Sequence, residues 1–176
     1  EQVERLDRLV DSILASVRVA PDQPADVVAT DVGAAVGEVV KELEPLTRNH
    51  RVEVAGDPSV RALADPSRLR QILEHLVENA VKYAPPQTRI TLAWRMIEGD
   101  VRVSVSDEGP GIPEEWRERV FEPYARRETA TARGSGIGLY AARRLGESMG
   151  ARLWTEPVER GTGTRFVVSL PAAASV

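Results

Sequence analysis

The 176-residue sequence contains no cysteine. A disulfide framework and a thiolate metal site are therefore both excluded, and the redox compartment leaves no mark on the chain. No apolar run approaches the roughly 20 residues needed to span a bilayer, and no charged-then-apolar leader opens the sequence. A cationic surplus is missing too: 23 Lys and Arg stand against 27 Asp and Glu, for a net charge of -4. Bulk electrostatic attraction to nucleic acid is thereby disfavoured, and an anionic ligand must be gripped locally. Internal repeats and low-complexity tracts are absent, apart from a short Ala-rich tail after Pro171 that is expected to be disordered.

What remains is a chain with 42% hydrophobic residues in mixed order, enough for one well-packed core. It begins at Glu1, without a methionine and inside a helical pattern, so it reads as a piece of a longer protein whose sensors or membrane spans would lie upstream. Val3, Leu6, Val10, Ile13 and Val17 alternate spacings of three and four with charges between them, which makes a heptad seam. Such a seam suits an ordinary amphipathic helix or one that leaves the globule to pair with another chain. Pro21-Asp22-Gln23-Pro24 must end it.

Residues 31–48 read as a second amphipathic helix, and residues 51–54 and 60–62 as short strands around the turn Gly56-Asp57-Pro58. The next helix is the clearest. Asp65 is a good N-cap, Pro66 suits the first position, and Leu69, Ile72, Leu73, Leu76 and Ala80 form one apolar face up to about Tyr83. Ile90, Leu92 and Trp94, then Val101, Val103 and Val105, alternate as two strands joined at Glu98-Gly99-Asp100. A helix over residues 138–149 and strands over 152–155 and 165–170 complete a two-layer α/β sandwich.

On the clear helix His75, Asn79 and Lys82 share a polar face distinct from the apolar one. By itself such a face is most simply a solvated one. An Asn carbonyl can nevertheless complete the shell of a Mg²⁺ held otherwise by waters and phosphates, with a nearby Lys reaching those phosphates. Asp107 ends a strand before Gly109-Pro110-Gly111-Ile112; this is either a tight surface turn or a carboxylate set to accept from an exocyclic amine beside glycines that permit close approach. Gly134, Gly136 and Gly138 open a helix at Leu139, where backbone N–H groups and the helix dipole favour an anion, although a flexible linker would also use glycines. The dinucleotide spacing G-x-G-x-x-G is not met. Between Phe121 and Gly134 lies a polar stretch with arginines at 126, 127 and 133, the composition of a mobile lid whose guanidinium groups could meet phosphate oxygens.

The order of these elements is more telling than any one of them. Asn79-Ala-Val-Lys-Tyr83, Asp107-x-Gly-x-Gly-Ile112, Phe121-Glu-Pro-Tyr124, Gly134-x-Gly-x-Gly-Leu139 and Gly161-Thr-Gly-Thr-Arg-Phe166 together resemble the asparagine, first glycine, phenylalanine, second glycine and closing Gly-Thr boxes of sensor histidine kinases. Those kinases share the Bergerat ATP-binding fold of the GHKL superfamily with gyrase, the MutL repair proteins and a heat-shock chaperone. The resemblance covers about residues 30–170. It implies a kinase that binds ATP with Mg²⁺ and passes the γ-phosphoryl to a histidine for a two-component response regulator. Asn79 would hold Mg²⁺; His75, Asn79 and Lys82 would be catalytic, with Lys82 on the phosphates. Asp107 would take the adenine amino group, with Tyr83, Gly109, Gly111, Ile112 and Thr164 around it. Gly134, Gly136, Gly138 and Leu139 would line the phosphates, and Phe121 with Arg126 and Arg127 would form the lid. Residues 1–20 would end the second helix of a dimerisation and phosphotransfer domain whose acceptor helix is not in this sequence, and residues 21–176 would be the catalytic domain, in a homodimer. Its place would be the cytoplasmic part of a sensor, linked to a membrane only through upstream segments.

One position departs from the family's pattern. His75 stands where the kinases usually carry a second Asn and their ATP-hydrolysing relatives a Glu that activates water. A dedicated ATPase is thereby disfavoured; His75 either orients a group near the phosphates or is a plain polar helix residue. His50, before a strand and without a following acid, reads as a surface histidine and not an acceptor. An anti-sigma-type serine kinase and a non-catalytic nucleotide-sensing or dimerisation module are the competing readings.

Overall fold

The computed structural model describes residues 24–125, 136–159 and 161–174. The heptad seam of residues 1–18 lies outside them, as do Arg126, Arg127, Arg133 and Gly134.

Strand β1 (Val28–Asp31) leads directly into helix α1 (Val32–Glu42), because the Asp31 carboxylate accepts from the Ala34 N–H at 2.8 Å and so caps the new helix. Val32, Ala35, Val36 and Val39 are its buried stripe. The single helix expected over residues 31–48 is broken at Leu43, and α2 is one short turn (Glu44–Thr47) with a proline in its first positions. Pro45 has no N–H to continue the ladder, which accounts for the break.

Strands β2 (Arg51–Gly56) and β3 (Arg61–Ala64) occur where the alternation placed them but do not pair with each other. β3 joins β1 in a two-stranded antiparallel sheet. β2 runs parallel to β4 (Arg89–Ile97) at the edge of a five-stranded sheet. Between β2 and β3 the Asp57 carboxylate accepts from the Ser59 N–H at 2.8 Å, and the Asp57 carbonyl accepts from the Trp94 indole at 2.8 Å. The indole lies where a side chain at Gly56 would have to be, so only glycine fits there.

Helix α3 (Pro66–Tyr83) begins as expected, with Asp65 accepting from Ser67 and Arg68 N–H groups. β4 turns into β5 (Asp100–Asp107) through Glu98 and Gly99, both at positive φ (52° and 88°), the conformation of a two-residue primed hairpin turn. Two short 3₁₀ turns (Glu114–Trp116 and Arg119–Phe121) follow, then α4 (Gly138–Glu147), β6 (Arg152–Pro157) and β7 (Thr164–Pro171).

The large sheet has the order β2-β4-β5-β7-β6, with only the β2–β4 pair parallel. Its inner rows, Leu92–Val105–Phe166 and Trp94–Val103–Val168–Leu153, meet Leu69, Ile72, Leu73 and Leu76 of α3 in one core. Each such side chain contributes about 1.5–3 kcal/mol on burial. The alternate residues of β5 are only half buried, as a two-layer sandwich requires. The tail differs from expectation: Ala172 bridges Ala62, and the Ala173 N–H donates to the Arg61 carbonyl at 2.9 Å. Backbone pairing fixes Ala172 and Ala173 where composition alone suggested disorder.

Candidate functional site

Asp107 ends β5 with only 3% of its surface exposed. Burial raises its carboxyl above its ordinary value; hydrogen bonds from the Gly109 and Thr164 N–H groups pull the other way, the first at 2.8 Å. The residues around it must be small. A Cβ on Gly109 would lie 2.7 Å from an Asp107 carboxylate oxygen and 3.1 Å from the Tyr83 carbonyl, so the loop after β5 rests against the end of α3. Gly111, at φ +76°, packs on the backbone of Gly163, and Gly163 in turn lies on the Asp107 carbonyl, where any Cβ would overlap the oxygen. Gly163 was quoted in the closing motif but given no role by sequence reasoning; its signal was the Gly-x-Gly-Thr spacing. Thr164 is buried opposite Asp107 in the β5–β7 register. Beside these residues a cleft of about 370 Å³ opens between Gly111-Ile112 and Val158-Thr162.

Helix α3 runs from this end to a second cluster. Tyr83 and His75 are eight residues apart, roughly 12 Å along the axis. Lys82 stands over the Tyr83 ring, 4.9 Å from its centroid. Asn79 is half buried, and among the described residues nothing hydrogen-bonds its amide. His75 Nδ1 lies 3.7 Å from Glu78 and 3.6 Å from where a Cβ on Gly138 would be, so the imidazole sits at the start of α4. Beside it on α3, burial raises the Glu74 carboxyl, with Arg70 opposing that rise. Glu74 and Glu78 carried no signal in the sequence beyond helical polarity.

The N-cap of α4, Ile137, supplies no side-chain hydrogen bond. The first helical bond is Ala141 N–H to the Ile137 carbonyl, so the preceding N–H groups of the helix have no partner within it. With the helix dipole, this end favours an anion. Gly136 (φ +74°) is pinned by its carbonyl to the Tyr124 N–H at 3.1 Å, and a Cβ there would crowd the Tyr124 backbone. Leu139 is half buried. The site therefore has an Asp107 end, a helix with a free amide, and a helix N-terminus.

Phe121, which the resemblance would place with the lid, is 2% exposed and meets the Phe166 ring edge-on at 6.3 Å. Its large apolar area is better covered by β7 than by solvent. His50 is half buried, with Nε2 3.5 Å from the Ala84 carbonyl, rather than a free surface histidine.

Among the described residues no three His, Asp or Glu side chains converge to hold a metal ion. A single unengaged amide suits Mg²⁺, which keeps most of its shell as water and phosphate oxygen.

Residues 64–174 match the family described as histidine kinase-, DNA gyrase B-, and HSP90-like ATPase. The adaptive-response sensory kinase SasA of Parasynechococcus marenigrum is 39% identical over 147 residues, covering 80% of this chain and 38% of the relative. The structure of full-length ShkA in complex with AMPPNP superposes with a TM-score of 0.81 at 30% identity, covering 98% of this chain and 37% of that one. Histidine kinase ThkA, in complex with the response regulator protein TrrA, gives a TM-score of 0.76 at 27% identity, over 98% of this chain and 48% of that one. The chain spans 38%, 33% and 47% of the length of the first curated relatives it matches, so it corresponds to a part of them. With the motifs in order on one fold and the match over residues 64–174, the chain belongs to the histidine kinase-, DNA gyrase B- and HSP90-like ATPases.

Proposed function

We propose that this chain binds ATP with Mg²⁺ and donates the γ-phosphoryl group to a histidine on a dimerisation and phosphotransfer domain. Residues 1–20 are the end of that domain's second helix, and residues 21–176 are the catalytic part. The observation that carries this reading is the disposition of α3, with a buried acceptor at one end and an uncapped helix N-terminus at the other.

Asp107 accepts from the adenine amino group, with Gly109, Gly111, Ile112, Thr164 and Tyr83 forming the walls. Both its backbone bonds hold the carboxylate still, so it needs no reorganisation when the base enters. Gly136, Gly138 and Leu139 present backbone N–H groups to the phosphates, joined by Gly134, and Arg126 and Arg127 contribute guanidinium groups to phosphate oxygens. Asn79 holds Mg²⁺, which neutralises charge on the phosphates when bound. Lys82 leaves its place over Tyr83 to contribute a further positive charge, and His75 orients the terminal phosphate from beside Gly138. Phosphoryl transfer asks a protein chiefly for positioning and charge neutralisation, and these residues supply both. The acceptor's phosphoryl group then passes to a response regulator, the kind of partner held by ThkA. The sensor works on the cytoplasmic side as a homodimer.

Titration calorimetry with ADP and AMPPNP, with and without Mg²⁺, tests the reading. Binding of both ligands, strengthened by Mg²⁺ and no longer so in Asn79→Ala, is the expected result; absence of binding to either would turn the assignment toward a scaffold. Labelled phosphate transferred from ATP to an added phosphotransfer domain, and not to His50, would establish the kinase.

A further inference from the structure

We propose that Arg143 is a positioning residue for the phosphate end of the site. The proposal rests on the nucleotide reading above and adds to it a side chain that touches no ligand. Arg143 lies on α4, five residues beyond Gly138. Its guanidinium covers the Phe121 ring at 4.1 Å from the centroid. One of its nitrogens, Nη2, donates to Glu118 at 3.0 Å and to the Leu153 carbonyl at 3.2 Å.

A single side chain thus ties together three segments: the aromatic turn that precedes residues 122–136, the helix that follows them, and β6. The two ends of that intervening stretch are referenced to one another through Arg143. Phe121 in turn meets Phe166 of β7 edge-on at an interplanar angle of 89°, which seats the turn on the core.

The chemistry calls for arginine. A planar guanidinium stacks on a ring while its edge donates in two directions; an ammonium is a point charge and cannot do both. The ion pair is the smaller part, because the Glu118 side chain is 77% exposed and that contact is screened by water, whereas Arg143 itself is 26% exposed. The geometric consequence falls on α4: without the stack and the Leu153 bond, the helix N-terminus at Gly138 loses its fixed placement relative to His75 and Asn79. The Asp107 end keeps its own backbone bonds and is untouched.

The test compares ADP with adenosine, each binding by displacement of a fluorescent nucleotide, in the parent, Arg143→Ala and Arg143→Lys, with melting temperatures in parallel. Arg143→Ala should lose at least about tenfold in ADP affinity, equal to about 1.4 kcal/mol, while its adenosine affinity stays that of the parent. Arg143→Lys should fall between. A purely structural arginine would lower the melting temperature and leave the ratio of ADP to adenosine affinity unchanged, which overturns the proposal. If Arg143→Ala does not fold, the ratio in Arg143→Lys decides: unchanged, it overturns the proposal equally. A parent that binds no ADP removes the nucleotide reading itself, a distinct outcome from an unchanged ratio.

Discussion

Asp107 is almost fully buried and accepts two backbone hydrogen bonds, whereas Asn79, half-exposed on α3, holds none among the described residues. The same contrast runs through their neighbours. Around Asp107 three glycines bring backbone against backbone, and the strand register fixes Thr164 opposite. Around Asn79 stand a lysine resting on a tyrosine ring, an imidazole beside a carboxylate, and a helix end without a side-chain cap. One end is complete before any ligand arrives; the other has donors and an acceptor without partners among the described residues. A flat base is well served by the first design, since a rigid pocket loses little entropy on binding. A charged polyphosphate with its metal is better served by the second, where groups free to turn find their partners on the ligand.

This comparison can be broken most forcefully at Gly163. A Cβ there overlaps the Asp107 carbonyl in a backbone conformation at φ +150°, so Gly163→Ala should destabilise the fold by about 3 kcal/mol. Chemical denaturation measures the loss, and a stability equal to the parent's would show that the Asp107 end is not tightly built.

Asp107→Asn should act next most strongly, and on binding rather than folding. Losing a charge-assisted bond costs about 2 kcal/mol, or about thirtyfold in nucleotide affinity by calorimetry. Its stability should respond in the opposite sense at neutral pH. Because burial raises the Asp107 carboxyl in the fold, its contribution to stability is fully present below the unfolded value and is lost as pH rises through the folded one. Asparagine does not ionise, so the melting temperature of the variant relative to the parent should be higher at pH 7 than at pH 4. A pH-independent difference would count against a raised carboxyl.

The smallest stability effect belongs to Asn79→Ala. The amide makes no bond among the described residues, so folding should change by no more than about 0.5 kcal/mol, while the Mg²⁺ dependence of nucleotide binding disappears. A large loss of stability would mean the amide has a structural partner, and the contrast between the two ends would fail.

Much of this fold was legible because the signals are local. Asp65 and Pro66 mark the start of α3 by capping chemistry, and Glu98-Gly99 marks the hairpin by its need for positive φ. The glycines of the Asp107 loop were legible for the same reason. What escaped depends on partners distant in sequence. β1 has four residues and no strong alternation, so only its pairing with β3 makes it a strand. Nothing in residues 51–56 says that they lie parallel to β4 rather than against the next strand. The burial of the Phe121 ring against Phe166 is likewise decided by tertiary packing. Arg143, a charged residue on an amphipathic helix, carried no sign of its three contacts.

Ala62 of β3 has neighbours on both sides: Thr30 and Ala172 both pair with it. The stretch that enters the fold through β1 and the stretch that leaves it after β7 are therefore fastened to the same short hasp. Under mechanical tension on those two stretches, the load is shared between these few backbone bonds and the bond from the Ala172 N–H to the Gly99 carbonyl at 3.1 Å, so the departing stretch also pulls on the β4–β5 turn.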